Sequence, residues 1–342
     1  MRSMVSFVLA CAGFAAASVS GAAPVAELNV YSARHYPSDD ALYDGFGKAT
    51  GNQVNRVEAS GDQLLARLRQ EGRNSPADVL VVVDAGNLWL AERDGLFRPL
   101  RSAALEKAIP ARLRHPDGLW FGFATRARVV VYNKDAVRAA DAPKRYEDLA
   151  EARWKGKVCM RSSSSVYNLS LMASLIHHLG EEKAEDWARG LVANFARGPK
   201  GGDTDQIRAV ATGECAVALA NTYYAVRLMK SDKDADRAVA AKIGIVFPNQ
   251  DDRGTHINIS GAGLLAHAPH PENAVRFLEY LLGPEAQALF AVANNEYPVA
   301  PGVAAEPVLS SLGSFKTDDL GVHVLGANQA RAQKVYDRAG FK

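Results

Sequence analysis

The chain has 342 residues, 48% apolar and 23% charged, with a formal net charge of +2. That is an ordinary globular balance, long for one core and comfortable for two domains. There is no basic stripe or acidic tail, so nucleic acid and anionic membranes are not expected partners.

The first two dozen residues read as an export signal. Arg2 supplies a positive start, "MVSFVLACAGFAAASV" is a short apolar run, and "SGAAPVA" offers small-residue cleavage sites. A membrane anchor would need a longer run and charges that stop transfer. Residues 1–22 are therefore assigned to a leader removed near Ala22 or Ala23, with cleavage after Ala26 as an alternative. The "VLAC" ending at Cys11 weakly resembles a lipoprotein site. An exported chain meets an oxidising compartment. A bridge between Cys159 and Cys215 and a pair of buried thiols both fit, because spacing does not fix geometry.

Beyond the leader, strand-like and helix-like segments alternate. "ELNVYSA" reads as a strand, and "SDDALYDGFGKATG" as a helix capped by Ser38 and closed by Gly51. "QVNRVEA" is a strand, "GDQLLARLRQEG" an amphipathic helix, "ADVLVVVD" a strand buried on both faces, and "AGNLWLAERDG" a short helix. This order predicts an α/β domain with a mainly parallel sheet. "GLWFGFATRARVVVYNKDAV" breaks the rhythm as a long extended run, suited to a hinge between two lobes. A second α/β series follows, containing "KVCMRSS", "CAVALAN", "TYYAVRLMK" and "KIGIVFPN". "THINISGAGLLAHA" is a third extended run that crosses back, and helices split by Gly283 and Pro284 come after it. The division expected is a first lobe of 27–124 plus 250–298 and a second of 125–249 plus 299–342.

Ligands of open α/β sheets bind beyond the carboxyl ends of the strands. Tyrosines occur at three such ends: Tyr36 after "LNVYSA", Tyr167 after "KVCMRSS", and Tyr223 with Tyr224 after "CAVALAN". Adjacent residues at the start of a helix can share one crevice, whereas in a strand they face opposite sides. A phenol is neutral at pH 7 without help, and a metal ion gives more help than a helix dipole. Converging phenolates suit a hard trivalent cation such as ferric iron. The eight histidines are scattered without H-x-x-x-H spacing, which argues against zinc or copper. Tyrosines packed near helix starts are also commonplace, and from position alone both readings stand.

The blocks "YSARHY", "WFGFATRARVVVYNK", "RSSSSVYNLSLMASLI", "GLVANFARGPKGGDTDQIRAV", "ANTYYAV" and "NNEYPVAPGV" arrive in the order seen in the periplasmic ferric-ion-binding proteins of bacterial ABC iron importers, which the chain resembles over nearly its whole mature length. The resemblance implies a two-lobed periplasmic-binding-protein fold of type II, with one Fe³⁺ in the interlobe cleft and delivery to an inner-membrane ABC permease. It implies Tyr167, Tyr223 and Tyr224 as ligands from the second lobe and Tyr36 from the first. His35 matches a position whose role varies: some relatives use a His or Glu from that lobe as a metal ligand, which makes His35 a candidate, and some use a small anion such as carbonate. Arg126 matches an arginine that contacts the anion or the phenolates; Arg34 and Arg126 are both candidates to offset the excess negative charge or hold the anion, with Arg126 favoured and a surface position beside the cleft the other reading of Arg34. The expected protein is a monomer, periplasmic and not an enzyme. A same-fold binder of an oxyanion or organic acid is the alternative. An exported enzyme is less favoured, because no nucleophile–base pair or carboxylate pair has recognisable spacing.

Three further features remain. His177 and His178 are assigned to a solvated face or a helix contact, Asp203 and Asp205 to a helix cap, and Ser162 to Ser165 to hydroxyls near the cleft that are able to hydrogen-bond a ligand.

Overall fold

The computed structural model describes residues 26–34, 36 and 38–342. The leader and His35 lie outside the described residues. Among them run nine strands: β1 Glu27–Ser32, β2 Gln53–Glu58, β3 Val79–Val83, β4 Phe121–Asn133, β5 Val158–Cys159, β6 Val217–Asn221, β7 Ile243–Val246, β8 Ile257–Leu264 and β9 Tyr297–Pro298. They form one continuous hydrogen-bonded order, β2-β1-β3-β8-β4-β6-β5, with β7 and β9 also paired to β4.

β1 pairs in parallel with both β2 and β3, and β5 in parallel with β6, each joined through a helix as parallel neighbours require. β4 and β8 run against their neighbours, so the sheet is mixed.

β4 belongs to both halves. Its residues Phe121 to Ala127 pair with β8, which lies beside β3, while Arg128 to Tyr132 pair with β6. The register slips between Gly122 and Ala124, the kind of irregularity that bends a strand. The extended run read as a hinge is thus the strand that passes from one half to the other. The chain returns from β7 to β8, where "INISGAGL" is buried along its full length.

Side-chain alternation along β4 divides the core. Val129 and Val131 join a cluster with Val30, Val82 and Phe123, whereas Val130 and Tyr132 join Trp154, Leu171, Trp187 and Tyr336 on the opposite face. The second cluster buries the helix Val166–Leu179 on most of its surface.

Local expectations meet mixed outcomes. The helix Asp39–Thr50 ends at Gly51 in the left-handed region, φ 74°. Ser38 stands at its N-cap position but makes no cap; its hydroxyl pairs instead with the Asn294 side chain at 2.5 Å. The "KVCMRSS" strand shrinks to two residues, and Cys159 forms a disulfide with Cys215 across the edge of the second half, Cα atoms 5.8 Å apart.

Candidate metal centre

Three strand-to-helix junctions meet at the join between the halves. Tyr36 lies in the loop between β1 and the helix Asp39–Thr50. Tyr167 is the second residue of the helix Val166–Leu179, and Tyr223 and Tyr224 are the second and third of the helix Thr222–Met229. The Tyr167 and Tyr223 hydroxyls are 3.1 Å apart. The Tyr36 ring meets the Tyr223 ring edge-on with centroids 6.4 Å apart, and Tyr223 and Tyr224 sit 4.2 Å apart. Successive helical side chains diverge by about 100° rather than the 180° of a strand, which leaves the Tyr-Tyr pair able to border one space.

Guanidinium groups surround the phenols. Arg34 lies 4.8 Å over the Tyr36 ring, Arg161 5.0 Å over Tyr167, and Arg126 5.8 Å over Tyr167. Arg227 lies 5.7 Å from the Tyr36 ring, 5.8 Å from Tyr223 and 5.7 Å from Tyr224. Arg126 is buried, yet its Nε and Nη2 have no hydrogen-bond partner among the described residues. Its Nη1 donates to Ser260 Oγ at 3.1 Å and lies 3.5 Å from Glu296 Oε1. Buried guanidinium N–H groups left over in this way ask for an oxygen acceptor.

Of the two readings of Arg34, the surface one fails: the residue is 1% exposed. Its Nε pairs with Asp39 at 2.9 Å and its Nη1 with Glu296 at 3.1 Å. Glu296, fully buried, therefore links Arg34 to Arg126, and it also accepts from the Ser260 hydroxyl at 2.7 Å. Sequence reasoning misses Glu296, Arg161 and Arg227. A signal existed for Glu296: two arginines flanked by apolar strand residues need a buried counter-charge, and "NNEYPVAPGV" supplies one.

Asp203 is the second correction. Asp205 caps its helix by accepting the Gly202 N–H at 2.7 Å, but Asp203 turns inward, fully buried, to pair with Arg128 at 2.6 Å. His178 makes the helix contact foreseen for it, with Asp318 at 2.8 Å. In the serine run, the Ser162 and Ser164 hydroxyls pair at 2.6 Å. With Arg161 and Ser165 they line a cavity of about 680 Å³.

Burial favours the protonated form of Tyr36, Tyr167 and Tyr223. Burial pushes Tyr36 up to about 12, Glu296 adding to the rise and Arg34 and Arg126 opposing it. Burial raises Tyr167 and Tyr223 well above the ordinary phenol range; Tyr224 and Tyr36 raise both further, Arg126 counters both, and the hydrogen bond with Tyr223 also lowers Tyr167. For Arg126 itself burial disfavours the charge, but Glu296 and then Tyr167 outweigh it, so its pKa rises. A ligand that makes these phenols give up protons must carry concentrated positive charge. Among the described residues no group of three or more His, Cys, Asp or Glu is placed to hold a metal ion.

Comparison with known proteins agrees with this architecture. Residues 74–316 match the family model for bacterial extracellular solute-binding proteins. The iron uptake protein A2 of Synechocystis sp. is 51% identical, over 92% of this chain and 90% of that protein. A Trichodesmium protein solved in complex with iron and citrate superposes with a TM-score of 0.89 at 53% identity, covering 92% of this chain and 100% of that one. The ferric binding protein of Campylobacter jejuni superposes with a TM-score of 0.88 at 42% identity, again over 92% and 100%. The fold is the two-lobed, type II periplasmic-binding architecture, and the chain belongs to the bacterial extracellular solute-binding protein family, beside relatives named for iron.

Proposed function

We propose that this chain binds ferric iron between its two lobes and delivers it to an inner-membrane ABC permease. Tyr167, Tyr223 and Tyr224 hold the ion from the second lobe, and Tyr36 adds to them from the first. The observation that carries this reading is the 3.1 Å approach of the Tyr167 and Tyr223 hydroxyls at a point where all four tyrosines converge. The relatives named for ferric iron and iron uptake support it.

Charge balance supports the arginines' part. Three phenolates neutralise Fe³⁺ and a fourth leaves an excess negative charge. The Arg126 N–H groups without a partner among the described residues offset that excess, or hold a small anion such as carbonate against the ion. His35 is a candidate beside Tyr36 on its position in the sequence alone.

The lobes proposed are 27–124 plus 250–298 and 125–249 plus 299–342, with β4 as a connecting strand. The second lobe loads the ion and the first closes on it, since an ion favours closure only through bonds that exist in the closed form and not in the open one. The leader is cleaved on export, and the mature protein works in the periplasm as a monomer, as a carrier rather than an enzyme.

The test is loading with ferric citrate at neutral pH, followed by a visible spectrum and metal analysis. A phenolate-to-iron charge-transfer band with one iron per chain is expected. A colourless, iron-free product overturns the reading. The Arg126 groups that lack partners among the described residues favour one alternative, a carrier of an oxyanion or organic acid without metal, and such a protein would stay colourless while binding the anion.

A further inference from the structure

Tyr167 and Tyr223 stand on different helices, 56 positions apart in sequence, yet their hydroxyls are in hydrogen-bond range. One buried group reaches both helix starts. Arg128, on β4, is 2% exposed. Its Nη2 donates to Asn168 Oδ1 at 2.9 Å, and Asn168 directly follows Tyr167. Its Nη1 donates to Asn221 Oδ1 at 3.2 Å, and Asn221 ends β6 two residues before Tyr223.

Asp203 fixes the other end of the bracket. Its Oδ2 accepts from Arg128 Nη1 at 2.6 Å and from the Asn221 backbone N–H at 2.8 Å. Asn168 is held in turn, its amide donating to the Arg161 and Ser162 carbonyls at 3.1 and 3.0 Å, while the Tyr336 hydroxyl donates to its own carbonyl at 2.9 Å. Every bond in this network is to a helix start or to the loop before one.

A buried ion pair is a poor device for stability, because desolvation consumes most of the attraction and an apolar pair of similar volume often does as well. What a planar guanidinium adds is direction: two parallel N–H edges at a fixed angle, which a lysine cannot reproduce. We propose that Arg128 and Asp203 are positioning residues that hold Tyr167 and Tyr223 at the separation one ion can span, before the ion arrives. The consequence for iron rests on the function proposed above; the geometric effect does not. Removing partners that orient metal ligands commonly weakens a site about 10- to 100-fold.

Two variants test this. Asp203→Asn keeps the shape but loses the charge and one acceptor, and Arg128→Lys keeps the charge but loses the fork, giving a second folded candidate if the first does not fold. Crystal structures of the metal-free variants should show the Tyr167 and Tyr223 oxygens parted beyond about 4 Å, out of hydrogen-bond range. After ferric loading, the charge-transfer band should shift and release to a chelator should be about 10- to 100-fold faster than in the parent. A variant that is merely less heat-stable, with the separation, band and release rate of the parent, overturns the proposal. If the parent itself takes up no iron, the functional reading falls, and the oxygen separation in the variants still decides whether these residues position the phenols.

Discussion

Ser170 donates its hydroxyl to Asp84 at 2.6 Å, tying the helix that carries Tyr167 to the residue that closes β3. Asp84 also accepts from the Gly86 N–H at 2.9 Å and from the Asn258 amide of β8 at 2.9 Å. It sits at φ 76°, a conformation that costs a non-glycine residue roughly 1–3 kcal/mol unless its surroundings over-determine it. Its three donors come from two helices and from β8, and with the Asp84 N–H bonded to the Ile259 carbonyl at 2.9 Å they hold the residue in place. Burial raises its carboxyl above the ordinary range, with Arg126 opposing the rise.

Ser170→Ala removes one donor from this buried carboxylate and should cost about 1–3 kcal/mol. The urea midpoint should fall with the slope unchanged, since the surface exposed on unfolding is the same. An unchanged midpoint would mean that the contact contributes nothing to holding the halves together.

Tyr223→Phe keeps the packing against Tyr36 and Tyr224 and removes the oxygen 3.1 Å from Tyr167. Under the proposed ligand set iron affinity should drop more than about 100-fold, beyond what the loss of an orienting partner alone produces. Tyr36→Phe should drop it less, if its oxygen is added only on closure. Competition with a graded series of chelators measures both, and equal retention by the two variants would count against this assignment.

Much of this is legible in the sequence, for identifiable reasons. The strands "LNVYS", "VLVVV" and "VVVYN" announce themselves because both their faces are buried, and the tyrosines because each lies where a strand hands over to a helix. The pairing of the charged groups around them is much less legible. A surface reading of Arg34 stays open because nothing in "YSARHY" reveals that Asp39 and Glu296 will fold onto it, the second from 262 residues away. Asp203 reads as a cap because its neighbour Asp205 is one, and the choice between them is made only when Arg128 arrives across the sheet. The helix Asp234–Lys242 buries none of its residues fully, and only small side chains and Val239 turn toward the core, so its pattern is faint.

The Cys159–Cys215 bridge closes a loop that contains Tyr167 and the serine run, with a sequence separation of 56. Cross-linking a loop of that size restricts the unfolded chain by about 4 kcal/mol on chain-entropy grounds. Replacing both cysteines by alanine should therefore lower the denaturation midpoint by the equivalent of about 2–4 kcal/mol. The iron band should persist in the folded variant, because the bonds from Arg128 rather than the bridge reach the helix starts. Loss of the band at full folding would instead make the disulfide part of the site.

Acid and base should act on the protein through the same phenols but in opposite states. Without metal, Tyr36 is neutral until about 12, above its ordinary value of 10.0, so the folded form holds a proton the unfolded form has begun to lose. Its contribution to stability is complete below its ordinary value and is lost as pH climbs through about 12. Denaturation of the metal-free protein at about pH 9 and about pH 11 should show this fall, and Tyr36→Phe should lessen it. With metal, each phenolate formed sends a proton to solvent. Loading near pH 7 should release about one proton for each coordinating tyrosine, and affinity should weaken as pH falls. A pH-stat titration with a ferric chelate of known protonation measures the number, and iron uptake without proton release would mean that these oxygens do not bind the ion as phenolates.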